Sequence, residues 1–129
     1  MSLKLSQLKR ADTARIELRN PADNTLTGAG VIVYGPTSDQ FREATDAMRG
    51  RQAALYRRFK DDDKIPSAEA LNVRKQFLAD ITADWFGFKD DADNDLPYSR
   101  AGALELYGDP DIALQVTTEI AVAANFMKG

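Results

Sequence analysis

Neither cysteine nor histidine occurs among the 129 residues. Without thiols there are no disulfides and no thiolate metal sites, which fits a reducing cytoplasm. With imidazole missing as well, zinc sites of the usual kind, Cys/His and Ser/His nucleophilic catalysis and imidazole acid/base chemistry all drop out. No pair of carboxylates stands apart for acid/base work, so no catalytic residue and no cofactor is expected. Long apolar runs are missing too: none approaches the ~18 residues of a membrane span, and Met1-Ser2-Leu3-Lys4-Leu5-Ser6 has no apolar core of signal-peptide length. The expectation is a soluble, unexported chain. There is no excess of positive charge either, since 17 basic against 20 acidic residues leave a formal charge of −3. Such a balance gives no global field for nucleic acid or anionic membrane. Gly and Pro are not enriched and no repeat is visible, so disorder is expected only at the ends and in residues 90–95.

What is present reads as mainly α with a small β element (α+β): about four helices and an N-terminal β-hairpin in a single domain. Residues 1–36 form a tail and the hairpin. Thr13 to Arg19 alternates with period 2, Asn20-Pro21-Ala22-Asp23-Asn24 is a turn, and Val31-Ile32-Val33-Tyr34 is a second, β-branched strand. Two strands alone are marginal in water, so the hairpin must pack on helices or extend a sheet in a neighbouring subunit. Residues 37–88 hold two long helices. The first is capped by Thr37 or Ser38, with Gln40 as a capping-box partner for Thr37, and runs to about Lys60 with Phe41, Ala44, Met48, Leu55 and Phe59 on one stripe. Gly50 inside it is a candidate kink or point of close helix approach. The second starts at a Ser67 cap, buries Leu71, Phe77, Leu78, Ile81 and Trp85, and ends where Gly87 can supply a left-handed cap. Residues 89–98 are an acidic linker. Residues 99–129 carry a short helix capped by Ser99 and closed by Gly108, then a last helix capped by Asp109 with Pro110 in its first turn. Ile112, Val116, Ile120 and Ala123 or Ala124 stripe that helix, and Phe126 ends it.

Four features invite a chemical reading. Asp90 to Asp95 has the alternating acids of a calcium loop, and counted from Asp91 the first three acidic positions fit. Leu96 then stands where the loop needs Gly, and Gly102 where it needs a bidentate Glu, so no metal site is expected and the stretch reads as a solvated, mobile linker. Arg49, Arg51, Arg57 and Arg58 concentrate positive charge on the first helix. They read either as a charged helix surface balanced by nearby acids or as a patch for acidic protein or phosphate, and no recognition helix with base-reading residues accompanies them. Trp85, Phe86 and Phe88 form an aromatic cluster, either core or a partner-binding hot spot. Gly28-Ala29-Gly30 lacks the rest of a dinucleotide fingerprint.

The order of signals in the last third is more distinctive than any of them singly. Asp84-Trp85-Phe86-Gly87 leads through the acidic stretch to Leu96-Pro97-Tyr98-Ser99, then to Asp109-Pro110 and a final segment ending Ala124-Asn125-Phe126. This pattern resembles the tail assembly chaperones of long, non-contractile-tailed (siphovirus, lambda-like) bacteriophages, on the positions Trp85, Gly87, Pro97, Tyr98, Ser99, Asp109, Pro110, Asn125 and Phe126. Leu96 departs from the Gly or small polar residue such linkers often carry. The resemblance implies a non-enzymatic protein of the infected host's cytoplasm that binds the tape measure protein, keeps its hydrophobic helical surface soluble, and is absent from the mature virion. It also implies self-association, and a longer product, made by ribosomal frameshift, that contacts the tail tube protein. The rival readings are a head-tail or tail completion protein of the virion and an acidic DNA-binding regulator using Arg49 to Arg58.

Overall fold

The structure, a computed structural model, describes residues 13–122 apart from the side chain of Asp62. The alternating segment is strand β1 (Thr13–Arg19), with Ala14, Ile16 and Leu18 buried and the residues between them exposed. A turn in which the Asn20 amide donates to the Thr25 carbonyl (2.7 Å) returns the chain as β2 (Leu26–Tyr34), longer at its start than the β-branched run alone suggests. The strands pair antiparallel, with Ile16 opposite Val31 and Glu17 opposite Gly30.

Helix α1 (Asp39–Phe59) is capped by Ser38, whose hydroxyl accepts from the Phe41 amide (3.1 Å), and Lys60 closes it in the left-handed conformation. Ser38 is therefore the cap, and the alternative pair of Thr37 with Gln40 is not used. A Cβ at Gly50 would meet no atom within 4 Å, so Gly50 is not a point of close helix approach. A 3-10 turn (Asp62–Lys64) leads to α2 (Ser67–Asp80), where Pro66 holds the cap position and Ser67 makes no capping bond. Pro66 ends in extended backbone that suits helix entry, so the serine is not needed there.

Helix α2 stops at Asp80, and Thr82–Phe86 form a third strand, β3, antiparallel to β2 with Val31 opposite Trp85 and Gly30 opposite Phe86. Residues 37–88 are thus two helices and a strand. Trp85 belongs to the sheet, and Gly87, at φ +78, turns the chain after a strand rather than capping a helix. The sheet order is β1-β2-β3. Helix α3 (Arg100–Leu106) is capped by Ser99 through the Gly102 amide (3.0 Å), and α4 (Pro110–Ile120) by Asp109, which accepts from the Asp111 amide (2.9 Å). Ala123, Ala124, Asn125 and Phe126 lie outside the described residues.

One face of the sheet and the four helices share a core in which Val31, Val33, Leu78, Ile81 and Val116 are fully enclosed. Thr82 is the one polar residue buried there among those described, and its hydroxyl donates to the Leu78 carbonyl (2.7 Å). Helix α1 contributes only Ala44 to the fully buried set. The rest of its apolar stripe is left half covered.

Candidate functional site: an open groove between three helices

The stripe of α1 outlasts the core it serves. Beyond Ala44, its Met48, Leu55 and Tyr56 form one wall of a groove of about 520 Å³, with Val73 and Phe77 of α2 beneath and Ile120 of α4 on the far side. Arg74 is the sole charged residue in the lining, and it makes no ion pair among the described residues. A smaller depression of about 270 Å³, also touching Arg74, continues over α2 to Leu71 and Pro110. Tyr56, Leu71 and Leu114 are among the exposed large apolar side chains, and all three are on these helices. Gln52 and Thr117 are the uncharged polar residues of the lining, and concave, mostly apolar walls with a few polar groups are the usual build of a binding site.

The four arginines are not one patch. Arg51 donates to Asp80 of α2 (3.2 Å), and Asp80 also accepts from Arg100 of α3 (2.7 Å), so that Asp80 ties three helices together and Arg51 is one arm of that tie. Arg58 faces Glu69 of α2 (3.8 Å) with its guanidinium 5.0 Å from the Phe59 ring. Arg49 and Arg57 are exposed without an ion pair among the described residues. Helical spacing explains the split. Positions 51 and 58 are seven apart and share a face, whereas 49 and 57 project elsewhere.

Strand alternation likewise divides the aromatic cluster, because successive side chains of β3 point to opposite faces. Trp85 turns to the helical side: its ring lies 4.8 Å from Phe88 and edge-on to Tyr98 (5.4 Å, 88°), and its indole N–H donates to the Leu96 carbonyl (2.8 Å). The Tyr98 hydroxyl donates to the Thr82 carbonyl (3.0 Å), and burial pushes its phenol up from the ordinary value. Phe86 lies on the opposite face, where the Arg15 guanidinium stacks 3.6 Å from its ring centre. Gly30 makes that reach possible. A Cβ there would run into the Ile16 carbonyl oxygen and stand 2.5 Å from Phe86 Cζ.

The acidic stretch is an ordered hairpin rather than a loose linker. The Phe88 carbonyl accepts from the Leu96 amide (2.9 Å), Lys89 bridges to Asp95 in both backbone and side chain, and the Asp90 carboxylate accepts from the amides of Ala92 (2.9 Å) and Asn94 (3.0 Å). Asp93 takes the left-handed turn at φ +64. The Lys89 hydrogen bond, then its charge, holds the Asp95 carboxyl below the usual value. Among the described residues no group of three acids could hold a metal ion.

Trp85, Gly87, Pro97, Tyr98 and Ser99 thus belong to one unit running from β3 through the hairpin to the start of α3, while Asp109 and Pro110 open α4. Asn125 and Phe126 lie outside the described residues. The groove residues Met48, Leu55, Tyr56 and Arg74 carry no motif. The signal that could have found them is the length of the α1 stripe, which exceeds what its main packing partner α2 covers. Comparisons of this chain with protein-family models, with curated proteins and with solved structures give no match.

Proposed function

We propose that this chain is a tail assembly chaperone of a long, non-contractile-tailed bacteriophage. It is non-enzymatic and works in the cytoplasm of the infected cell, where it binds the apolar helical surface of the tape measure protein and helps recruit tail tube protein. It stays out of the finished particle. The observation that carries this reading is the groove between α1, α2 and α4, apolar with Arg74 as its one charged lining residue. A helix of the tape measure protein can lay its apolar stripe along such walls, the recognition mode of a helix in a groove, with a carboxylate meeting Arg74. Further support is the Trp85 to Ser99 unit, on which the resemblance in sequence chiefly rests. Many copies, each binding weakly and associating with one another, would coat a long rod by avidity. A frameshifted longer product supplies the contact with tail tube protein.

Co-expression with the tape measure protein of the same phage tests the reading. The tape measure protein is expected to become soluble and to elute with this chain, and Leu55→Glu, which puts a charge into the half-buried groove wall, should abolish co-elution without unfolding the chain. Failure of the native chain to bind would sink the proposal. Recovery of the chain from purified particles would favour a completion protein instead, and salt-dependent DNA retention lost on neutralising Arg49 and Arg57 would favour a regulator. Mass spectrometry of infected-cell lysate should show a minor longer product sharing this sequence.

A further inference from the structure

The two edges of the sheet are finished differently. Along β3, the Trp85 amide donates to the Asp84 carboxylate (2.8 Å) and the Thr82 carbonyl accepts from Tyr98 (3.0 Å). Along β1, the Arg19 amide donates to Gln115 Oε1 (2.7 Å) and the Arg19 carbonyl accepts from Gln115 Nε2 (2.9 Å). The N–H and C=O of one strand residue point the same way, and the direction repeats every second residue. The pairing of β1 with β2 shifts register between Glu17 and Arg19. The Leu18 carbonyl still faces β2, accepting from the Thr27 hydroxyl (2.8 Å), and the burial alternation of β1 is unbroken. Glu17 and Arg15 therefore aim their backbone groups outward with Arg19, away from β2. No hydrogen bond reaches those groups among the described residues. Both side chains are exposed, on the sheet face opposite the core.

We propose that this open stretch of β1 pairs with the same stretch of a second copy, antiparallel about a twofold axis through Ile16. In that register Arg15 of each copy stands opposite Glu17 of the other, as hydrogen-bonded pairs that exchange both backbone bonds. Opposite charges meet directly on the exposed face, an arrangement that stabilises a sheet. The neighbouring registers that keep the hydrogen-bond phase are centred on Arg15 or on Glu17. Each sets a residue against its own copy, and like charges directly opposite are unfavourable. The sequence thus selects one register. The contact is small, so association is weak and reversible. It gives a place and a register to the self-association expected of a chaperone, yet rests on sheet geometry alone, and can fail without touching the tape measure reading.

Sedimentation of the full chain over rising concentration reads the outcome. The native chain should pass from monomer to dimer, and Arg15→Glu or Glu17→Arg should each weaken dimerisation by about tenfold or more. Mixed together, these two single variants should form a heterodimer, because each then offers the other the complementary charge. Because Arg15→Glu also loses the stack on Phe86, Glu17→Pro serves as the second variant. It deletes one outward donor, is tolerated on an edge strand, and leaves the ladder to β2 intact, so a folded monomer by circular dichroism is expected. A native chain that stays monomeric throughout, single variants that dimerise like the native chain, a mixture that fails to pair, or undiminished dimerisation of Glu17→Pro would each overturn the proposal.

Discussion

Tyr107 and Thr82 share a hydrogen bond of 2.7 Å inside the core. Thr82 has a single hydroxyl proton, and its bond to the Leu78 carbonyl uses it, so Tyr107 must be the donor. Burial, more than any other cause, pushes the Tyr107 phenol well above its ordinary value of 10.0. The sign of the consequence is fixed by linkage. Stability is fully present below pH 10 and falls as pH rises beyond it, because the unfolded chain then releases a proton that the folded chain retains. Tyr107→Phe should cost about 1 kcal/mol at pH 8, since Thr82 keeps its bond to Leu78. It should also reduce the loss of stability between pH 9 and pH 11, which urea unfolding at those values measures. Asp95 runs the other way. Its lowered carboxyl favours the hairpin above the ordinary value of 3.8, and that contribution disappears as pH falls through the lowered value. An NMR titration should place the Asp95 midpoint below 3.8 and return it towards 3.8 in Lys89→Ala.

Two glycines in regular elements should respond oppositely to alanine. Gly30→Ala drives a methyl group into the Ile16 backbone and the Phe86 ring, and should cost about 2 kcal/mol or more. Gly50→Ala adds a methyl that meets nothing in the middle of α1, and should gain about 0.5–1 kcal/mol. Chemical unfolding of the pair checks both. The same elements show what the sequence could and could not disclose. Strand β1 and the caps at Ser38, Ser99 and Asp109 were legible because alternation and capping are local chemistry. Strand β3 was not, since Leu78, Ile81 and Trp85 continue the helical spacing of α2. What overrides that spacing is the hydrogen-bonding edge of β2, some fifty residues away in sequence. The acidic run looked solvated by composition, yet its closure depends on pairs across the loop, Phe88 with Leu96 and Lys89 with Asp95. The groove was hidden for a related reason. A stripe on α1 says that apolar residues share a face, not how much of that face a neighbour covers.

Across the whole molecule, the groove is built from helices and the open edge from a strand, with no residue in common. The two proposed contacts should therefore be separable. Glu17→Pro is expected to keep tape measure binding while losing dimerisation, and Leu55→Glu to keep dimerisation while losing the tape measure protein. Co-elution and sedimentation on both variants measure this directly. The finishing of the sheet edges has a further consequence, for growth. Pairing through β1 uses the open edge of both copies, and β3 offers no comparable second edge, so the added strands have nowhere to propagate. Assembly by this route terminates at two copies instead of running into a fibre. Gln115, holding the backbone of Arg19, also acts as a ruler that stops the shared ladder after Glu17.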